Sequence, residues 1–208
     1  MATPTHHAEQ QMGTKETPAG PAGTGRGGSQ TALRAHPTGT FGESFRLLAL
    51  DVVRLLEGET NRSLLVMSGL PGEGRTLTAY NLARSLAELS LPVLLVDANP
   101  AGAPRTVDLG DPPGVHRIDL SEEAGGLGDF LQAARKVIAR GGEEGAITIV
   151  DVPAATRSSI GFHLAKEVAG SLFVVRTRKS RGVGIPTEMR AQLDLLGARI
   201  LGVVVNDG

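Results

Sequence analysis

The sequence predicts a three-layer α/β domain whose doubly wound, mainly parallel sheet is covered by helices on both faces. Two observations indicate this class. Apolar segments of strand length alternate with longer segments whose apolar residues recur at helical spacing. The composition combines 28 glycines with five phenylalanines, one tyrosine and no tryptophan, which is typical of many turns around an aliphatic core. Strands that alternate with helices in this way form parallel sheets through right-handed crossovers.

The strands are predicted where short apolar runs are bounded by turn residues. They cover residues 64–68, 92–97, 146–151, 171–176 and 199–205, and the alternating run 115–120 is a possible edge strand within an otherwise irregular stretch, 98–128. The helices are predicted where apolar residues follow the helical period. They cover 41–57, a segment that begins at Arg75, 127–140, 158–168 and 185–196. Gly58 is expected to end the first of these helices, and Gly141 with Gly142 the third.

Residues 1–40 differ in composition from the rest of the chain. This segment is rich in Gly, Pro, Thr and Ala, has few large apolar residues and follows neither structural period. It is therefore predicted to be a disordered tail, with residues 41–208 forming a single domain. The adjacent pair His6 and His7 is given no metal-binding role, because an isolated pair in such a segment is usually solvated.

The overall composition argues against several classes of function. The formal net charge of −1 gives no electrostatic basis for nucleic-acid binding. The absence of cysteine excludes disulfides and cysteine-based metal sites, and it is compatible with a reducing cytoplasm. No apolar run is long enough to span a membrane, and the N-terminus lacks the apolar core of a signal peptide. We therefore expect a cytoplasmic protein without a transmembrane segment.

The segment between the first strand and the next helix has the pattern of a phosphate-binding loop. Gly69, Gly74 and Thr76 fall where the pattern G-x-x-x-x-G-K-[ST] requires them, but Arg75 replaces the lysine. Glycine at Gly72 and Gly74 lets backbone N–H groups close on an anion, and the positive end of the helix dipole faces the same point. The Thr76 hydroxyl is of the kind that meets a magnesium ion. The alternative is a tight strand-to-helix turn without a ligand.

Two of the predicted strands end in an aspartate. Asp97, followed by Asn99, closes the strand at 92–97, and Asp151 closes the strand at 146–151. Because the carboxyl ends of parallel strands meet at one edge, both acids are expected beside the loop, where they would hold a metal ion or position a water. Asp97 has an alternative use as a cap of the following turn. The strand that ends in Asp151 resembles a Walker B element, whose aspartate holds magnesium by way of water.

Together these features resemble the deviant Walker NTPase group that includes MinD and ParA. Within that group, residues 43–206 resemble the CpsD/CapB-type bacterial tyrosine kinase domain of capsular and exopolysaccharide synthesis. The segments that carry the resemblance are Pro71-Gly-Glu-Gly74, Tyr80-Asn-Leu-Ala83, the Walker A′ strand at 93–97, the Walker B element at 150–153 and Leu201-Gly-Val-Val-Val-Asn206. MinD and ParA proteins usually carry a further lysine near positions 70 and 71, and its absence favours the polysaccharide-kinase branch.

The resemblance implies a P-loop NTPase fold with ATP or ADP and Mg²⁺ as cofactors. It also implies a membrane-bound polysaccharide co-polymerase as partner, which would place the protein at the inner face of the membrane. The implied catalytic residues are Arg75, Asp97 and Asp151, and the implied metal ligands are Thr76, Asp97 and Asp151. The implied nucleotide-binding residues are Gly69, Pro71, Gly72, Glu73, Gly74, Arg75, Thr76, Leu77 and Asn206, with Asn206 against adenine and Arg176 or Arg178 beside the ring. Alternatively, Asn206 only ends its strand.

Several positions depart from the pattern of the family. In the loop, Arg75 replaces the lysine. At the Walker A′ strand, Asn99 replaces the second acid, and the arginines that follow are missing unless Arg105 substitutes. In the E-x-x-R-x-x-R assembly helix, which Glu43 and Arg46 begin, Ala49 replaces the second arginine. The only tyrosine is Tyr80, so the family's C-terminal tyrosine cluster is absent. In the loop, Arg75 is expected either to push the γ-phosphate off line or to turn outward.

These departures predict a nucleotide-binding protein with weak or lost kinase activity and a regulatory role in polysaccharide synthesis. Two alternatives stay open. One is an active MinD/ParA-like ATPase switch in which Arg75 takes over the role of the lysine, and the other is a structural module that binds no nucleotide. Because exposed ion pairs contribute only about 0–1 kcal/mol each, the remaining Glu43 and Arg46 predict a monomer or a weak homo-oligomer.

Overall fold

The computed structural model describes residues 40–100, 111–121, 125–177 and 185–207. These ranges contain five helices: α1 (Thr40–Leu55), α2 (Arg75–Glu88), α3 (Leu127–Glu143), α4 (Ile160–Leu164) and α5 (Thr187–Leu195). The same ranges contain six strands: β1 (Ser63–Ser68), β2 (Val93–Asp97), β3 (His116–Asp119), β4 (Ile147–Asp151), β5 (Gly170–Arg176) and β6 (Ile200–Asn206). The predicted tail, apart from Thr40, lies outside the described residues, as do His6, His7, Arg105 and Arg178.

The six strands form one sheet in the order β3-β2-β4-β1-β5-β6, and every neighbouring pair is parallel. This arrangement confirms the predicted doubly wound α/β class. Strand β1 lies between β4 and β5, and all of its residues are buried. The register pairs Asp97 of β2 with Asp151 of β4, so both acids reach the same edge of the sheet. The loop that follows β1 starts at that edge.

Helices cover both faces of the sheet, because the side chains of β1 alternate between two cores. Leu65 and Met67 lie in a core that also includes residues of α3, α4 and α5. Leu64 and Val66 lie in the other core, with residues of α1 and α2. Since both faces are covered, β1 and β4 are buried at every position, and their apolar residues are not restricted to alternate positions.

Two predicted helices are shorter in the structure than expected, and one uncertain strand is present. The helix predicted at 158–168 is reduced to the short α4, and the first helix ends at Leu55, before Gly58, whose φ is 80°. The possible strand at 115–120 does form, as β3 at the edge of the sheet. No helix within the described ranges is long and apolar enough to cross a membrane.

The prediction that Gly141 and Gly142 end a helix is wrong, because α3 continues through both to Glu143. Gly141 is buried, and a Cβ there would collide with the Thr148 hydroxyl of β4. This glycine therefore permits a helix to pack closely on a strand, and it does not stop the helix.

Candidate functional site

The loop between β1 and α2 turns through two glycines in the left-handed region. Gly72 has a φ of 77° and Gly74 a φ of 97°, which residues with a Cβ rarely adopt. At Gly74 a Cβ would also collide with the side-chain amide of Asn206. The chain then enters α2 directly, at Arg75. The first N–H groups of a helix lack partners within the helix, and they are therefore available to an anion that binds at its start.

The ends of β5 and β6 hold this loop by its backbone. Asn206, the last residue of β6, donates its amide N–H to the Glu73 carbonyl oxygen at 3.0 Å. Arg176, the last residue of β5, donates to the Gly72 carbonyl oxygen at 3.4 Å. The two residues expected near the base therefore lie beside the loop, and both bind its main chain.

Two further side chains fix the path of the loop. The Glu73 side chain is buried, and its carboxylate accepts the backbone N–H of Leu70 at 2.8 Å. Thr156 donates its N–H and its hydroxyl to the Gly69 carbonyl oxygen, at 3.2 and 2.8 Å. Sequence analysis missed Thr156. The sequence pattern that could have indicated Thr156 is a hydroxyl residue shortly after a strand that ends in an acid. This pattern is too common to predict a contact with the loop.

The Arg75 side chain points inward, onto the ends of the strands. Its Nε donates to Asp151 Oδ1 at 2.8 Å, Nη1 to Ser68 Oγ at 3.0 Å, and Nη2 to Asn99 Oδ1 at 3.3 Å. Only 13% of the side chain is exposed. The expectation that this arginine could turn outward is therefore wrong, because a buried carboxylate and two further acceptors surround its guanidinium. Ser68 is a second residue that sequence analysis missed, although it is a polar residue at the end of an apolar strand.

Asp151 has donors on both of its carboxylate oxygens. Besides Arg75, the Thr76 hydroxyl donates to Oδ2 at 2.7 Å and the Asn99 amide to the same oxygen at 3.1 Å. Burial raises the pKa of this carboxyl above its ordinary value, and the nearby Asp97 adds to the rise. The charge of Arg75 and the hydrogen bond from Thr76 act in the opposite direction. Arg75 and Thr76 thus favour the charged form of this carboxyl, against the effect of burial.

Asp97 is paired in a similar way. Its Oδ1 accepts the Asn99 amide at 2.8 Å, and its Oδ2 accepts a guanidinium N–H of Arg117 at 3.2 Å. Sequence analysis missed Arg117, which lies on the edge strand β3. The pairing of β3 with β2 places Arg117 opposite Leu95, two residues before Asp97. This contact becomes visible only once the order of the strands is known.

The three predicted magnesium ligands come together, but the arrangement does not fit a magnesium ion. Thr76 and Asp151 are hydrogen bonded to each other, and Asp97 is linked to Asp151 through Asn99. Both carboxylates already bind a guanidinium, which takes the position and the charge that a metal would need. Within the residues that the structure describes, no group of three or more His, Cys, Asp or Glu side chains is placed to hold a metal ion.

The remaining residues of the predicted nucleotide site lie along the same bend. Gly69 follows β1 directly, and a Cβ there would touch the Met189 sulfur at 3.4 Å. Pro71 and Leu77 are half-buried, the first in the bend and the second in the first turn of α2. The predicted loop residues therefore form one continuous turn at the edge where β1, β2 and β4 end.

The predicted assembly residues on α1 make contacts within their own chain. Arg46 donates to Glu88 of α2 at 3.0 Å and to Glu43 at 3.3 Å. Ala49 is fully buried and belongs to the core between α1, α2 and the sheet. An arginine at position 49 would place a charged side chain in this core, whereas the alanine allows α1 to pack against α2 and the sheet.

The parallel sheet, with its glycine loop between β1 and α2, defines the fold as that of a P-loop NTPase. The kinase domain of the Escherichia coli tyrosine kinase ETK has a TM-score of 0.68 to this chain and 19% identity, over 85% of this chain and 79% of that one. The chimerical protein CapA2B2 has a TM-score of 0.71 and 15% identity, over 86% and 90% of the two chains. The BceF tyrosine kinase domain has a TM-score of 0.65 and 19% identity, over 84% and 81%. The chain therefore has the fold of bacterial tyrosine kinase domains.

A relative in sequence is the succinoglycan biosynthesis transport protein ExoP of Rhizobium meliloti (strain 1021). It is 38% identical to this chain over 63 residues, which are 30% of this chain and 8% of ExoP. The similarity thus spans a small part of that longer protein. No family model matches the chain.

Proposed function

We propose that this protein binds ATP and ADP in the loop between β1 and α2, has weak or lost kinase activity, and regulates surface polysaccharide synthesis. The observation that carries this proposal is the hydrogen bond of the Arg75 guanidinium to Asp151. Phosphoryl transfer depends on a loop cation that positions the γ-phosphate in line with its acceptor. An arginine whose guanidinium is fixed by Asp151 cannot follow the γ-phosphate through transfer, so nucleotide can still bind while the in-line positioning is lost.

Calorimetric titration with ADP and with ATP tests the binding. We expect dissociation constants within about threefold of each other, because the loop backbone contacts phosphates that both nucleotides share. Gly74→Ala should abolish binding, since the added Cβ collides with Asn206. Gly126→Ala is the matched control, because a Cβ there meets open space. Heat with neither nucleotide would support the structural module instead.

Autophosphorylation on tyrosine is expected to be absent. Tyr80 is the only tyrosine, lies on α2 and is 3% exposed, so its hydroxyl cannot enter a second active site without opening the core. Incubation with labelled ATP and magnesium, followed by phosphoamino-acid analysis, should give no phosphotyrosine. Tyr80→Phe keeps the buried ring and measures the background. Phosphorylated Tyr80 would show that the kinase activity is retained.

The base is proposed to be adenine, contacted by Asn206. This residue lies at the end of β6, against Gly74, where the loop turns into α2. We expect ATP to bind about tenfold more tightly than GTP, because a side chain that reads a base by hydrogen bonds discriminates by about 1–3 kcal/mol. Asn206→Ser should reduce that ratio in competition titrations. If GTP binds as tightly as ATP to the parent chain, Asn206 serves only to hold the Glu73 carbonyl.

We expect the isolated protein to be a monomer or a weak dimer. Arg46, the charged remnant of the proposed assembly helix, is already bound to Glu88 within its own chain, and exposed ion pairs add only about 0–1 kcal/mol each. Light scattering across a concentration series should therefore give a mass near 21.6 kDa that rises weakly with concentration. A stable octamer without any partner would contradict this.

The proposed partner is a membrane-bound polysaccharide co-polymerase, which would recruit the protein from the cytoplasm to the inner face of the membrane. The similarity of one segment to ExoP, a transport protein of succinoglycan biosynthesis, supports this setting. Co-purification with the membrane fraction should then depend on that partner. Membrane association that persists in cells without it would exclude this mode of recruitment.

A further inference from the structure

We infer that Arg75 replaces the divalent cation of this site, so that the protein binds nucleotide without magnesium. This inference rests on the nucleotide binding proposed above. Its evidence is the geometry at the end of the sheet, where the guanidinium lies among Asp151, Ser68 and Asn99.

The atoms that Arg75 occupies are the ones that a metal would need. Nε donates to one oxygen of Asp151 at 2.8 Å, and the Thr76 hydroxyl donates to the other at 2.7 Å. A metal ion at this carboxylate would have to displace the guanidinium. Because the Arg75 side chain is only 13% exposed, its positive charge would stay beside the metal and repel it.

The second acid of the site is also neutralised by an arginine. Asp97 accepts a guanidinium N–H of Arg117 at 3.2 Å and the Asn99 amide at 2.8 Å. Asn99 binds Asp151 as well, so it bridges the two acids with an amide. Each of the two carboxylates thus has a guanidinium partner, Arg75 for Asp151 and Arg117 for Asp97, and Arg117 also pairs with Asp111 at 3.7 Å.

Arg75 has donors left for a phosphate group. Its hydrogen bonds to Asp151, Ser68 and Asn99 leave other guanidinium N–H groups without a partner in the part of the chain that the structure describes. Guanidinium groups bind phosphate oxygens strongly and with defined geometry. One side chain can therefore neutralise the acid and bind the nucleotide, two tasks that a bridging magnesium ion performs in P-loop proteins.

Titration of the full chain with ADP, once with magnesium chloride and once with EDTA, tests this inference. For the parent chain we expect dissociation constants that agree within about twofold in the two buffers. For Arg75→Lys, whose single nitrogen cannot reach the acceptors that three separate guanidinium nitrogens contact, magnesium should tighten ADP binding by about tenfold or more. Arg135→Lys is the control, because Arg135 makes a partly exposed ion pair with Glu167 on another surface, and it should behave as the parent chain does.

The outcomes separate the inference from the function on which it rests. If the parent chain loses about tenfold or more of its ADP affinity in EDTA, magnesium belongs to the site and the inference is wrong, while nucleotide binding stands. If ADP binds in neither buffer, the proposed function fails and the inference with it. Should Arg75→Lys not fold, the melting temperature of the parent chain decides the matter. ADP should raise it equally in both buffers, and a rise with magnesium alone overturns the inference.

Discussion

Arg75→Lys is expected to raise the rate of ATP hydrolysis by about tenfold or more, which corresponds to about 1.4 kcal/mol in the activation barrier. The guanidinium of Arg75 binds Asp151, Ser68 and Asn99 through three separate nitrogens, and a single ammonium nitrogen cannot span acceptors placed in this way. A lysine here is therefore free to reach the β and γ phosphates and to hold them in line for transfer. In magnesium buffer the affinity for ADP should change little, because the loop backbone is the same in both proteins.

Phosphate release in magnesium buffer measures this effect. Arg135→Lys carries the same chemical change outside the site, and Asp151→Asn gives the background. Unchanged or lower turnover in Arg75→Lys would mean that the arginine is an adapted catalytic residue, and the interpretation of the chain as a degenerate enzyme would fail. Turnover of the parent chain well above Asp151→Asn would favour the active ATPase switch.

Arg75→Met is expected to lower the free energy of unfolding by about 3–5 kcal/mol, the usual cost of leaving one member of a buried ion pair without its partner. The methionine is apolar and cannot donate to Asp151, whose side chain is only 4% exposed. Such a loss is a large share of the stability of a domain of this size. Urea denaturation followed by circular dichroism measures it.

Removing the charge of Asp151 as well should recover much of the free energy of unfolding that Arg75→Met loses. In Arg75→Met/Asp151→Asn neither member of this ion pair leaves the other as an unpaired charge, so the double variant should be clearly more stable than Arg75→Met. Arg190→Met, which breaks an exposed pair with Asp194, should cost less than about 1 kcal/mol and shows the cost of a surface ion pair. Equal losses in Arg75→Met and Arg190→Met would mean that the buried pair contributes no special stability.

The loss in Arg75→Met should also depend on pH. Burial and Asp97 raise the pKa of Asp151, and the substitution removes the positive charge that opposes this rise. The folded pKa then lies further above the unfolded value. The free energy of unfolding of Arg75→Met is therefore highest below the pKa that Asp151 has in the unfolded chain. It falls as the pH rises through the pKa that Asp151 has in the folded protein. The difference from the parent chain should be smallest in acid and should grow toward neutral pH.

Much of the fold is visible in the sequence because its signals are local. Each central strand is an aliphatic run, and β2 and β4 end in an acid that marks the edge of the sheet where ligands bind. The glycine pattern placed the loop between β1 and α2 and marked Gly72 and Gly74 as positions that need glycine, and both have positive φ angles in the structure. Gly141 shows the limit of such signals, because a glycine that ends a helix and one that packs a helix on a sheet look the same in sequence.

The inner part of the site could not be predicted, because it depends on which strands are neighbours. The direction of Arg75 is set by Asp151 and Asn99, which the strand order brings to it from β4 and from the end of β2. From the sequence, the guanidinium fork of Arg75 was expected to act on phosphate, and its partners Asp151, Ser68 and Asn99 were not foreseen. Its main property here is the ability to bind several acceptors at once. The pairing of Arg117 with Asp97 was missed for the same reason.

The central place of β1 in the sheet also determines when the site can form as the chain folds. β1 pairs with β4 and β5, which are made much later, and no two neighbouring strands are joined by a hairpin. Arg75 meets Asp151 across a separation of 76 residues, and Glu73 meets Asn206 across 133. Closing such long segments costs chain entropy before any contact compensates for it. A nascent chain therefore has the loop sequence before it can form the loop, and the residues that meet at Asp151 come together only when the later strands have joined the sheet.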